Sequence, residues 1–247
     1  MRELGTILPR LGLMSAHPIL SITPKARVFF GVNALAAWLG LTVAFLLSLL
    51  GTYPNTGTDR TLFGFNQPGI NGAIGRVSDF FSYFTIWSNI VVGIVMTMLW
   101  LGGKRTSTKL FAVLRLDALI MITVTGLVYA LVLAPSDHLQ GWQYLSNSLE
   151  HYITPVLTIV VFIVFGPRKQ LRYALVLPAL ILPMIWVALT LVRGTFIDAY
   201  PYGFINVAKW GYGTVLINLV GIVVIGVLFG LAFVAIDRAR GKRQRAN

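Results

Sequence analysis

The chain has 247 residues, 56% of them hydrophobic and only 11% charged, with a mean hydropathy of +0.78. So few charges cannot cover a soluble protein of this size, where about 25% is usual, and such hydrophobicity excludes a disordered chain. Cysteine is absent, which excludes disulfides, thiol nucleophiles, iron–sulfur clusters and cysteine-ligated zinc.

Residues 1–27 carry Pro9, His17, Pro18 and Pro24 with no compact apolar run before a cleavage site. They read as a tail, not a cleaved leader. A hydrocarbon core about 30 Å thick needs roughly 20 apolar residues at about 1.5 Å each. Six segments qualify: Val28–Leu50, Phe80–Leu101, Phe111–Leu133, Leu145–Phe165, Tyr173–Val192 and Thr214–Ile236. Residues 237–247 form a basic tail. The expected fold is an all-α membrane protein, one polytopic six-helix bundle over residues 28–236.

Lys and Arg number 20 against 8 Asp and Glu, a net charge of +12. In a soluble protein that would suggest nucleic acid. Here the basic residues fall in short loops and tails, so membrane topology explains them and no nucleic-acid partner is expected. Six spans put both termini on one side. That side holds 15 of the basic residues and the opposite side 4, with Arg115 inside the third span. The bias places both termini in the cytoplasm of a multi-pass cell-membrane protein.

Polar residues inside spans are costly and are functional candidates by default. Ser82, Thr85, Ser88 and Asn89 recur at spacings of three and four and share a face of span two. Ser88 and Asn89 read first as hydrogen-bonding glue between helices; Thr85 is more open. Span four has an unusually polar entry, Asn147 to Pro155, with His151 and Thr154 on one face. Pro155 frees a backbone carbonyl beside them. The simpler role for His151 is a structural bond to a neighbouring helix. Spans two and four both run inward from the outer side, however. Thr85 lies about 8 Å below the outer edge, and His151 at a similar depth. A hydroxyl and an imidazole at one depth can form a nucleophile–base pair if their helices face each other. Asp79 or Glu150 could orient His151 from the outer side.

Asp117, in span three, lies about 9 Å from the inner edge, roughly 13 Å from the level of Thr85. It belongs to no outer site. Arg115 is two residues away, points elsewhere and can snorkel to the cytoplasmic interface. Asp117 needs another partner; it stabilises the bundle or marks a proton or ion path. Pro178 and Pro183 should kink span five. Gly226 and Gly230 form a helix-packing pair. Gly211-Tyr212-Gly213 lacks the Thr-Val that precedes a potassium filter, with Lys209-Trp210 in its place. No phosphate-binding loop, dinucleotide fingerprint or zinc-protease motif occurs.

The segment from Asp79 to Asn89, DFFSYFTIWSN, resembles the FSYFTxxSN stretch of the bacterial six-span Pr6Pr proteins. Tyr200-Pro201-Tyr202-Gly203-Phe204, then Gly211-Tyr212-Gly213 and Asn218, resemble their last outer loop and sixth span; His151 with Pro155 resembles their HxxxP. These landmarks run from span two to span six. That family is similar to the androgen-induced membrane proteins (the FAR-17a family), threonine hydrolases of fatty-acid esters of hydroxy fatty acids. The resemblance implies a lipid-ester hydrolase with Thr85 as nucleophile and His151 as base. Asn89 or Ser88 would help hold the oxyanion, with membrane lipids as surroundings and a lipid ester as substrate. No metal or cofactor is implied. The alternative is a non-enzymatic transporter, channel or small-molecule binder, for which Asp117 and Arg115 would matter most.

Overall fold

A computed structural model describes residues 22–52 and 58–243. The predicted tail up to residue 21 and residues 244–247 lie outside them. Among the described residues there is no β-strand, and six helical segments are long and apolar enough to cross a membrane. Spans one to six are Pro24–Leu50, Phe84–Leu101, Lys109–Ser136, Gln143–Phe165, Tyr173–Ile197 and Val207–Gly241. Many large apolar side chains on their outward faces are exposed, including Leu35, Leu46, Ile181, Leu189, Ile217 and Val220. On helices this long, such exposure fits contact with lipid chains. The all-α six-helix expectation is met.

Span three is the hub. Leu116, Ala118, Leu119, Ile120, Met121 and Ile122 are all essentially inaccessible. One side packs against spans one and two around Ala34, Ala37, Val92 and Val95. Its other side packs against spans five and six around Leu175, Leu180, Phe233 and Val234. Gly230 gives span six a close approach, since a Cβ there would sit 3.0 Å from Val176 and 3.1 Å from Ile120. The glycine pair therefore serves packing, as its spacing suggests.

The span ends differ from the sequence boundaries by a few residues, and spans two, five and six are irregular for local reasons. Span two begins at Phe84, not Phe80, because the chain leaves the helix Ala73–Phe80 at Phe81 and turns extended at Tyr83. Two indoles take carbonyls freed there: Trp87 Nε1 donates to Phe81 at 2.7 Å and Trp186 Nε1 to Ser82 at 2.9 Å. Asp79 and Ser82 consequently lie outside the span, and Thr85 is in its first turn, not some 8 Å down. Span five opens with two 3₁₀ turns, Tyr173–Leu175 and Pro178–Leu180, before the helix Ile181–Ile197. Span six is broken at Gly211, whose φ of 71° and ψ of 163° few residues but glycine adopt.

Spans three and four each contain a π turn, Tyr129–Leu133 and Leu149–Ile153. Both are followed by a residue and then a proline, Ala134-Pro135 and Thr154-Pro155. The residue before each proline donates to a carbonyl five positions back: Ala134 to Tyr129 and Thr154 to Leu149. A proline has no N–H for the next carbonyl, so the ladder cannot continue in that register. Wide turns of this kind cluster at functional sites.

The loops that join spans one and two and spans five and six are stitched together. Phe63 N–H donates to the Tyr200 carbonyl at 3.1 Å and Tyr200 N–H to the Thr61 carbonyl at 2.9 Å. Arg193 pairs with Asp79 at 2.6 Å and lies over the Phe63 ring, 4.5 Å from its centre. These ties fix Tyr200-Pro201-Tyr202 over the N-terminal end of span two.

Candidate active site

Thr85 and His151 meet. Thr85 Oγ1 lies 3.1 Å from His151 Nε2. Thr85 is buried, and its position in the first turn of span two leaves its backbone N–H without a helical carbonyl. The hydroxyl of Tyr202 fills that place, accepting from Thr85 N–H at 3.3 Å and lying 3.3 Å from Thr85 Oγ1. Burial pushes the Tyr202 phenol up to about 12, so it stays protonated at neutral pH. The arrangement runs Tyr202 Oη, Thr85 Oγ1, His151 Nε2, with one proton available at each hydroxyl.

His151 sits within the π turn of span four and stacks on Tyr129, in the π turn of span three, with ring centres 3.9 Å apart at 22°. The Tyr129 hydroxyl donates to Asp137 at 2.8 Å and accepts from Asn147 Nδ2 at 2.7 Å. The two wide turns thus face each other and fix the imidazole plane. His151 Nδ1 has no aligned hydrogen-bond partner among the described residues. The Asn147 backbone is disposed towards the ring but falls short of hydrogen-bond geometry. An Nε2 that accepts from Thr85 requires the proton on Nδ1.

The other candidate residues have different places. Asn89 Nδ2 donates to the Thr85 carbonyl at 2.9 Å and to the Glu150 carbonyl at 3.2 Å. The second bond has a clear cause: Thr154 N–H goes to Leu149 and Pro155 has none, so the Glu150 carbonyl lacks a helical donor. Ser88 Oγ donates to the Thr85 carbonyl at 2.8 Å and lies 2.8 Å from Thr125 Oγ1. Both side chains hold the backbone of Thr85 and are committed away from an oxyanion. Asp79 is held by Arg193 and by Asn66 Nδ2 at 2.6 Å, so it does not orient His151. Nor does Glu150, whose Cγ packs against Gly40 of span one.

Asp117 and Arg115 do not pair with each other, and both are buried. Arg115 does not snorkel to water. It donates from Nη1 to the Pro167 carbonyl at 2.9 Å and to Gln170 Oε1 at 2.7 Å, gripping the loop between spans four and five. Asp117 Oδ1 is unpartnered among the described residues. Among the described residues no hydrogen bond links it to Thr85 or His151.

Below Thr85 lies an apolar cleft. It runs from Thr85, Tyr202 and Trp186 down to Ile120 of span three, Leu180 of span five and Gly226 of span six. Thr85, Thr125 and Tyr202 bring its only hydroxyls. Met184, on its wall, is exposed on the outside of the bundle.

Sequence reasoning used Tyr202 only as a landmark and did not assign it a role. Tyr129 and Asp137 were not singled out, and Asn147 only as the start of the polar entry of span four. A tyrosine in a loop between spans gives no sign of folding back onto a helix terminus. A proline near the end of span three and another within span four, each six residues after the start of a π turn, were the available signal. Compared with protein-family models, with curated proteins and with proteins of known structure, the chain matches none.

Proposed function

We propose that this integral membrane protein hydrolyses lipid esters, with Thr85 as nucleophile and His151 as general base. The observation that carries the reading is the 3.1 Å contact between Thr85 Oγ1 and His151 Nε2 at one end of an apolar cleft. Nucleophile and base within hydrogen-bond reach are the signature of an activated hydroxyl. The cleft suits an acyl chain, and its partly exposed wall offers entry from lipid.

His151 Nε2 takes the Thr85 hydroxyl proton as Oγ1 bonds to the ester carbonyl carbon. The carbonyl oxygen becomes an oxyanion, which Thr85 N–H and the Tyr202 hydroxyl are placed to stabilise. The intermediate collapses, the ester C–O bond breaks, and imidazolium returns its proton to the leaving alkoxide. Water then attacks the threonyl ester, giving its proton to His151. The acyl–Thr85 bond breaks, Thr85 recovers the proton, and the fatty acid leaves. Asn89 and Ser88 position Thr85 through its carbonyl. With both termini in the cytoplasm, as the distribution of basic residues indicates, the site faces the outer leaflet.

The test is turnover of a fatty-acid ester of a hydroxy fatty acid by protein in detergent micelles. Thr85→Ala abolishes it while the protein remains folded. Full turnover by Thr85→Ala would end the reading.

A further inference from the structure

Span four carries a second polar face that the Thr85–His151 pair does not use. Glu150, Thr154 and Thr158 recur every four residues and share it. The face closes on span one. Glu150 Cγ abuts Gly40, where a Cβ would come within 3.0 Å, and Thr158 Oγ1 accepts from Asn33 Nδ2 at 3.0 Å. Ala37, between them on span one, is fully buried. Asn89 of span two closes the remaining side through its bond to the Glu150 carbonyl. Asn89 and Thr154 are wholly inaccessible and Glu150 is 5% exposed.

Three oxygens in this seam have no hydrogen-bond partner among the described residues: Asn89 Oδ1, Glu150 Oε1 and Thr154 Oγ1. The Asn89 amide cannot usefully be turned over, because its nitrogen serves two carbonyls. An unmet group in a dry interior bears the full cost of its desolvation. A cation can serve an amide oxygen, a carboxylate oxygen and a hydroxyl oxygen at once. Hard oxygen donors suit alkali and alkaline-earth ions. A single carboxylate balances a single positive charge, and a divalent ion would leave the excess buried.

We propose that Glu150, Asn89 and Thr154 form an intramembrane binding site for a monovalent cation, Na⁺. Asn89 enters both readings, its nitrogen holding the Thr85 carbonyl and its oxygen facing the ion; ion binding is read from Tm and ²²Na⁺ and hydrolysis from turnover, so either can fail alone. Occupancy of the cation site fastens the π turn of span four to spans one and two.

The experiment measures thermal unfolding of the detergent-purified protein in NaCl against choline chloride at constant ionic strength, with ²²Na⁺ binding to the same preparations. Wild type gains a saturable rise in Tm of about 3 °C or more with Na⁺. Glu150→Gln loses the response and the bound ²²Na⁺. Thr154→Val removes an oxygen that bonds nothing in the protein, so its folding is unimpaired. Its half-saturating Na⁺ concentration rises at least about tenfold. Equal Tm values for wild type in the two salts overturn the proposal. So does a wild-type Na⁺ response in either variant; should Glu150→Gln not fold, Thr154→Val decides.

Discussion

Replacing Tyr202 by phenylalanine removes one oxygen and keeps the ring. The ring is held by stacking on Phe204 at 5.3 Å and by edge contacts with Tyr83 at 5.6 Å, so the loop over span two stays in place. What is lost is the acceptor for Thr85 N–H and the hydroxyl beside Oγ1, both at 3.3 Å. At that length the ground-state bond is weak, and its loss costs about 1 kcal/mol of stability. That corresponds to a Tm fall of about 2–4 °C for a chain of this size. The transition state is affected more. A donor aimed at a developing oxyanion contributes about 100-fold or more in kcat, or about 2.7 kcal/mol. Tyr202→Phe should therefore lower kcat about 100-fold, with a small change in KM and a Tm only about 2–4 °C lower. The assay is initial-rate hydrolysis of a lipid ester in micelles, with unfolding followed on the same samples. A folded Tyr202→Phe protein with wild-type kcat would refute the role given to the phenol.

Three other perturbations follow from the same geometry. Pro155→Ala supplies the N–H that the wide turn lacks, allowing the ladder to relax towards α-helix and move His151; turnover should fall at least about tenfold in a protein that still folds. Unchanged turnover would show that the proline does not set the turn. Asp79→Asn breaks the ion pair with Arg193, whose partners are 13% and 26% exposed, and should lower Tm by about 2–4 °C by loosening the loops over span two. The same loss in an Arg193→Gln protein, without further loss in the double variant, would identify the pair as the cause. Gly211→Ala forces a side chain into a φ of 71° and should destabilise the protein by about 1–2 kcal/mol. A Tm equal to wild type would mean that the break in span six can move.

The spans were legible because 20-residue apolar runs are imposed by bilayer thickness and need no tertiary information. Their ends were less so. The start of span two at Phe84 depends on Trp87 and Trp186 satisfying the carbonyls of Phe81 and Ser82, and Trp186 lies a hundred residues away. Thr85 and His151 stood out by residue type and shared direction of their spans, although the depth assigned to Thr85 rested on a helix start that the structure moves. Their contact depends on two helices facing each other, which periodicity does not encode. Asn89 looked like glue, and it is, but the reason lies in a carbonyl orphaned by Pro155 on another span. Arg115 was expected at the interface because long basic side chains reach water. Here the loop 166–172 folds over the helix end and receives it instead.

The most direct test of the central claim is covalent labelling of the detergent-purified protein with a fluorophosphonate, followed by mapping of the modified residue by mass spectrometry. The account predicts one adduct, on Thr85 Oγ1, absent in Thr85→Ala and strongly slowed in His151→Ala. No adduct on a folded wild-type protein, or an adduct on another residue that survives Thr85→Ala, would contradict it.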